Sequence, residues 1–342
     1  MNPADLTEPM WVLASFATCG ALLFPVRLAL GKAGVIDRPN ARSSHGVPTI
    51  RGAGVGIVLV VAAATLTLSP RQPSLAAVAG AFVTLAVISF IDDLRGLPAR
   101  VRFLAHGAAA GVGLAVVGRM AEVDHAAAGW VAGAAFAWVW IVGYTNAFNF
   151  MDGINGLATI QAIAGSAGTA LIAQALGMEA SHPLVALSWC ITGASAGFLP
   201  HNFPRARAFM GDVGSAPLGF LLALLAVWTA LETSPWVLLW LGLLHANFVL
   251  DTGVTLLRRA ARGERVWEAH REHFYQRLVR AGWSHARVTL LQAAVQLVAV
   301  AVLVWGAAQP AETRWLIAMG VVTAWLVLFG VAEACFRRAR PA

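Results

Sequence analysis

Apolar runs of membrane-crossing length recur from one end of the chain to the other, and no other feature restricts the fold so sharply. Eleven can be marked off, over residues 10–30, 53–69, 74–91, 101–118, 128–147, 156–177, 183–199, 214–231, 235–257, 287–307 and 315–336. A helix needs about 20 apolar residues to cross the hydrocarbon of a bilayer. Only 12% of the 342 residues are charged, where a water-soluble domain carries roughly 25%. The expected fold is all-α: a polytopic integral membrane protein of 10–11 transmembrane helices, one transmembrane domain over residues 1–342.

The opening "MNPADLTEP" is acidic and lacks the basic start of a signal peptide, so the first run reads as a retained span. Cys19, Cys190 and Cys335 fall inside apolar runs at no metal-ligand spacing and read as small buried residues. The net charge of +7 is set by topology. Numbering the connections alternately, one side holds 20 of the 24 basic residues, while the other has only Arg71, Arg119 and Arg314, with Arg27 inside the first run. The positive-inside rule places the rich side in the cytoplasm, the N-terminus outside and the C-terminus inside. Nucleic-acid binding is not implied.

Polar chemistry collects on that same side. Asp92 and Asp93 end one run, Asp152 stands in "NAFNFMDGINGLA" and Asp212 in "FMGDVGS". A lone Asp pair flanked by Arg95 would also suit an ordinary helix end. Carboxylates at several equivalent span ends are costly beside hydrocarbon and ask for a cation. Oxygen ligands with few competing Cys favour Mg²⁺, which binds through one or two carboxylates and substrate phosphates. Glycines of "RGAGVG" and "MGDVGS" would let backbone N–H groups approach a phosphate, although close helix packing enriches glycine equally. There is no P-loop motif. His270 and His273, three apart in "HREH", share one face if that loop is helical and with Arg265 and Arg271 would clamp a diphosphate. A basic loop held at anionic headgroups would read similarly, and His45 in "RSSH" is a weaker case of the same signal.

Taken together, "RGAG", "FIDD" with downstream Arg102, "NFMDGINGLA", "FMGDVGS" and "HREHFYQRLVRAGWSH" resemble the bacterial polyprenyl-phosphate N-acetylhexosamine-1-phosphate transferases. That family includes the initiating enzymes of common antigen and O-antigen and the phospho-N-acetylmuramoyl-pentapeptide transferase. The match runs from about residue 34 to 290, and its ending looks closer to the O-antigen branch. The resemblance implies transfer of a sugar-1-phosphate from a UDP-N-acetyl-aminosugar to undecaprenyl phosphate, with UMP released. It implies Mg²⁺, or alternatively Mn²⁺, a multi-pass protein of the inner membrane contacting membrane lipid, and a homodimer as one arrangement. Cytoplasmic active-site loops are expected at 31–52, 92–100, 147–155, 200–213 and 258–286. In those terms Asp92, Asp93 and Asp152 are catalytic and Asp212 and Asp93 meet the metal, while Asn149, Arg102, Arg265, His270 and His273 bind substrates. Departures from the family pattern are Asn155 where many relatives have Asp, His106 for a Gln, and Ala53 in "RGAG". Two other classes remain as alternatives. A transporter would want repeat halves and midplane polar groups, and an intramembrane prenyltransferase would want an Asp-rich D-x-x-D cluster. None of these features stands out in the sequence.

Overall fold

The computed structural model describes residues 7–39, 46–70, 72–123, 129–266 and 270–339. Arg42, His45, Arg71 and Arg340 lie outside them, as do parts of the expected loops 31–52 and 258–286. In chain order the elements are α1 (Glu8–Lys32), β1 (Ile36–Asp37), β2 (Thr49–Ile50), α2 (Val55–Leu68), α3 (Leu75–Arg95), α4 (Ala99–Met120) and α5 (Trp130–Met151). There follow α6 (Leu157–Ala175), α7 (Pro183–Asn202), α8 (Asp212–Glu232), α9 (Trp236–Leu244), α10 (Ala246–Ala261), α11 (Phe274–Arg280), α12 (His285–Gly306) and α13 (Ala311–Ala339).

Helix forms in every expected apolar run, but not all eleven make a single helix of membrane-crossing length. Among the described residues nine helices are long and apolar enough to cross a membrane, or ten if one bent pair counts as a span. The α2 helix has 14 residues and is about 21 Å long at 1.5 Å per residue, short of the ~30 Å hydrocarbon thickness. The run at 235–257 is broken. Its halves α9 and α10 meet at 86°, at the buried His245.

Side chains satisfy that break. The bend leaves the Leu244 carbonyl without its helical partner, and the amides of Gln161 (3.0 Å) and Gln296 (2.7 Å) donate to it instead. His245 Nδ1 lies 2.7 Å from the Tyr144 hydroxyl, and Asn247 donates to Gln161 Oε1 at 3.0 Å.

The α8 helix, apolar all round, forms the centre, with its membrane-length stretch buried throughout. It packs against α3, α4 and α5. Gly193 and Gly197 of α7 press against the α1 backbone at Val12 and Phe16. The outer faces of α12 and α13 present Leu297, Trp315, Leu316 and Val327 outward, as lipid-facing helices do. The α10 helix is turned the other way: Asp251, Thr255 and Arg259, at four-residue spacing, face inward while Leu257 is exposed.

Candidate active site

The ends of α3, α5 and α7 and the starts of α6 and α8 meet at one end of the bundle, and a short pairing of backbone assembles them. The strand β2 pairs antiparallel with β1 and bridges to Ala208. Phe209 N–H donates to the Ile50 carbonyl (2.8 Å), and Ala53 and Gly54 donate to those of Phe209 and Met210 (3.0 and 2.9 Å). This ladder sets Arg51 beside the first residue of α8. Arg51 donates from Nε to Asp93 at 2.7 Å and from Nη2 to Asp212 at 3.1 Å.

Four carboxylates gather here, and they are not equivalent. Asp93 Oδ1 accepts from Arg51 and from the Asp212 N–H (3.0 Å), while Oδ2 accepts from the Val213 N–H (3.0 Å). It is the side-chain anchor for the otherwise unpaired N–H groups that begin α8. Its side chain is 0% exposed, whereas that of Asp212 is 16% exposed. Gly211, at φ +73°, makes the contact possible: a Cβ there would lie 2.6 Å from Asp93 Oδ2. Asp93, expected at the metal, is therefore committed to the protein. Asp92 is largely committed too, accepting the Leu97 N–H and Arg102 Nη1 (3.3 Å), so that it joins α3 to α4.

Asp212 and Asp152 retain capacity. Arg51 donates to Asp212 Oδ1 and Asn149 Nδ2 to Oδ2 (3.3 Å), and the Asp92 carboxyl also lies against it. Ser215 turns the Asn149 amide by donating to its Oδ1 at 2.8 Å. Asp152, just past α5, forms no ion pair among the described residues. Burial, then the Asp212 charge, pushes its carboxyl well above the usual carboxylate range. Four carboxylates face two paired guanidiniums, Arg51 and Arg102. With all four ionised, two negative charges are left over, the complement of one divalent cation. No three His, Cys, Asp or Glu among the described residues converge to enclose an ion.

One cavity adjoins the cluster through Arg102 and Asn149, and a second lies beside β2. The first, of about 930 Å³, is lined by Arg100, Arg102, His106, Asn146 and Asn149 and runs to Phe103 and Leu104, whose side chains stand 53% and 70% exposed on the outer surface. The other, of about 580 Å³, is lined by Thr49, Ile50, Asn155, Arg205, Arg207, Phe209 and His285. Of the glycines, Gly54 packs on Gly214 and Gly56 on Leu23, so helix packing accounts for them.

The expected histidines lie farther back. His273 is buried, its Nδ1 3.0 Å from Asp251 Oδ1. Its ring lies 4.8 Å from that of half-buried His270. Burial, then His273 and Arg259, lowers His270 to about 4, so near neutral pH it offers hydrogen bonds and no charge. Arg265 is exposed and its carbonyl accepts from Arg259 at 3.2 Å. Arg259 itself is buried between Glu264 and Glu272, both at 2.8 Å.

Residues outside the sequence reading hold these pieces together. Asp251, fully buried, accepts from Thr255 and from the N–H groups of Phe274 and Tyr275 as well as facing His273. The Tyr275 hydroxyl then donates to the Phe150 carbonyl at 3.0 Å, against Gly153. Buried Asn202 accepts from the Gly156 N–H (2.8 Å) and donates to the Ala208 carbonyl (3.0 Å), joining the two motif loops. A carboxylate inside an apolar run was the available signal for Asp251; Arg51 and Asn202 offered none as single residues.

These features define a polytopic membrane protein with an acidic centre at one end of its helix bundle. Residues 75–230 match the model of glycosyl transferase family 4. The chain is 30% identical to the decaprenyl-phosphate N-acetylglucosaminephosphotransferase of Mycobacterium tuberculosis, covering 78% of this chain and 74% of the relative. It is 32% identical to a phospho-N-acetylmuramoyl-pentapeptide-transferase of Synechococcus, covering 80% and 83%. A Bacillus subtilis protein named "Probable undecaprenyl-phosphate N-acetylglucosaminyl 1-phosphate transferase" is 28% identical, over 78% and 75%. The chain belongs to glycosyl transferase family 4, within its polyprenyl-phosphate sugar-1-phosphate transferases. That membership sets aside the transporter and prenyltransferase alternatives.

Proposed function

We propose that this chain transfers an N-acetyl-aminosugar-1-phosphate from a UDP-sugar to undecaprenyl phosphate at the cytoplasmic face of the bacterial inner membrane. The products are undecaprenyl-diphosphate-sugar and UMP, and the step initiates an envelope polysaccharide such as O-antigen. The observation that carries the reading is the carboxylate cluster outnumbering its paired guanidiniums, adjoined by a cavity that runs to the exposed Phe103 and Leu104, with a second cavity carrying Arg205 and Arg207 beside β2.

The lipid acceptor enters by the cavity at Phe103 and Leu104, and its phosphate meets Arg102, whose guanidinium has donors to spare beyond Asp92. The nucleotide sugar takes the aqueous cavity, with Arg205 and Arg207 for its charge. A lipid phosphate is mostly dianionic near neutral pH, its second pKa being about 6. Its oxygen attacks the sugar-bearing phosphorus, a new P–O bond forms, and the bond to the UMP oxygen breaks. Asn149 holds Asp212 in place. Asp212 and Asp152 are the residues that would hold Mg²⁺, or Mn²⁺ in its place. When bound, the ion neutralises the charge of two phosphates brought together.

The test is a donor panel. Purified protein, undecaprenyl phosphate and Mg²⁺ are incubated with each UDP-N-acetyl-aminosugar, and UMP and the lipid product are both measured. Stoichiometric formation of the two with at least one sugar is expected. No UMP with any of them would refute the reading.

A further inference from the structure

A third cavity, of about 440 Å³, lies between α10, α11 and α13, away from the carboxylates. Its wall changes character along its length. Val254, Leu326 and Phe329 make one part apolar, while Arg258 and Arg337 flank Glu333 at the other. Three guanidiniums converge on that single carboxylate: Arg258 at 3.4 Å, Arg337 at 2.7 Å, and Arg277. The cluster keeps a surplus of two positive charges. Arg258 and Arg337 have side chains 43% and 76% exposed, so donors not used on Glu333 remain open to the outside.

An apolar trough with a cationic mouth, at the polar end of a lipid-facing helix, complements an amphiphile with a negative head. We propose that this cavity binds one anionic glycerophospholipid. Its phosphate sits at Arg258 and Arg337, and an acyl chain lies along Val254, Leu326 and Phe329. Free phosphate would leave the apolar part uncovered, and a zwitterionic lipid would leave the surplus charge uncompensated. Gly330 lines the trough beside open space, since a Cβ placed there meets nothing within 4 Å, and a large side chain at this position has room to occupy it. The site also bears on the transfer centre. Phe274 stacks on Phe329 at 4.5 Å, lies under Arg258, and follows His273 in the segment that Asp251 holds. A bound lipid therefore steadies the start of α11. Only this last consequence rests on the proposed transfer reaction.

The test reads binding without turnover. Wild type, the Arg258→Gln/Arg337→Gln double variant and Gly330→Leu are placed in nanodiscs of phosphatidylcholine with phosphatidylglycerol. Retained lipid is then counted by native mass spectrometry after release into detergent, with thermal midpoints in phosphatidylcholine alone as the folding control. Wild type should keep one phosphatidylglycerol per chain in preference to phosphatidylcholine. The double variant should lose it by about tenfold or more, two headgroup cations having gone. Gly330→Leu, which changes no charge, should lose it comparably by filling the trough. Equal retention by all three folded proteins overturns the proposal. Displacement of the lipid by inorganic phosphate would overturn it in favour of a simple anion site, and displacement by undecaprenyl phosphate in favour of an extension of the acceptor path.

Discussion

The acidic seam of α3, α5 and α8 and the basic lobe of α10, α11 and α13 are built from the same materials with opposite balances. In the seam, Asp92, Asp93, Asp152 and Asp212 face Arg51 and Arg102. In the lobe, Glu264, Glu272 and Glu333 face Arg258, Arg259, Arg262, Arg277 and Arg337. Each region spends most of its charge on holding itself together, and what remains uncovered is the part available to a ligand. The seam is left negative and suits a cation with phosphates; the lobe is left positive and suits an anionic headgroup. Density of charged residues misleads in both places, because Asp93 and Arg259 are among the most committed side chains in the protein.

The sharpest way to break this comparison is to remove the uncommitted carboxylates. Asp212→Asn and Asp152→Asn should each reduce UMP release by about a hundredfold or more while the protein stays folded and inserted, since each removes charge from the reacting centre alone. Assays of purified, monodisperse protein check this. Near-normal turnover in either would show that the surplus is not where the chemistry occurs.

A smaller effect is expected where the two regions are coupled. Asp251→Asn leaves an oxygen to accept one backbone N–H but removes the charge facing His273. The KM for the UDP-sugar should rise by about tenfold with a lesser change in kcat, as expected when a positioning contact is lost. Asp251→Glu should restore part of it. Steady-state kinetics at varied donor and acceptor check the split, and a uniform fall in kcat with the donor KM unchanged would reduce Asp251 to a stability residue.

The seam's unpaired carboxylate also leaves a mark on stability. Burial and the Asp212 charge make folded Asp152 hold its proton more tightly than the unfolded chain does. Its contribution is fully present below the unfolded carboxylate pKa of about 3.9 and is lost as pH rises through the higher folded value. Metal-free Asp152→Asn should therefore melt above wild type at neutral pH, with the gap closing toward pH 4. Adding Mg²⁺ should narrow the gap by stabilising wild type more. Scanning calorimetry or dye-based melting across pH checks both.

The smallest effect is expected at His270, which sits in the lobe and carries no charge near neutral pH. His270→Ala should cost only a few-fold in turnover at limiting donor, about 1 kcal/mol for a lost neutral hydrogen bond. Assays at subsaturating UDP-sugar would detect a deeper loss, which would move the donor's diphosphate toward the lobe.

Much of this architecture was legible from residue order. All but one of the apolar runs became a single helix, because a long apolar sequence leaves a chain few alternatives in hydrocarbon. The break at His245 was not legible, since the groups that satisfy it come from Tyr144, Gln161 and Gln296, distant in sequence. Asp92, Asp93, Asp152 and Asp212 were recognisable as a set, and the structure brings them to one end of the bundle. Their division into committed and open members was hidden, because it depends on Arg51, on the N–H groups of α8 and on Asn149, none of which adjoins them all in the chain. The His270 and His273 spacing suggested a shared ligand face, but His273 is turned inward by Asp251, a partner 22 residues away.

The central claim is that Asp212 serves the ligand and Asp93 serves the fold, and Mg²⁺ activation curves of the residual activity test it most directly. Asp93→Asn should keep the half-saturating Mg²⁺ concentration within about threefold of wild type, while its melting temperature falls as expected for breaking a buried ion pair worth about 3 kcal/mol. Asp212→Asn should raise the half-saturating concentration about tenfold or more with little change in melting. A large shift in Mg²⁺ dependence for Asp93→Asn, with wild-type Mg²⁺ dependence in Asp212→Asn, would contradict the account.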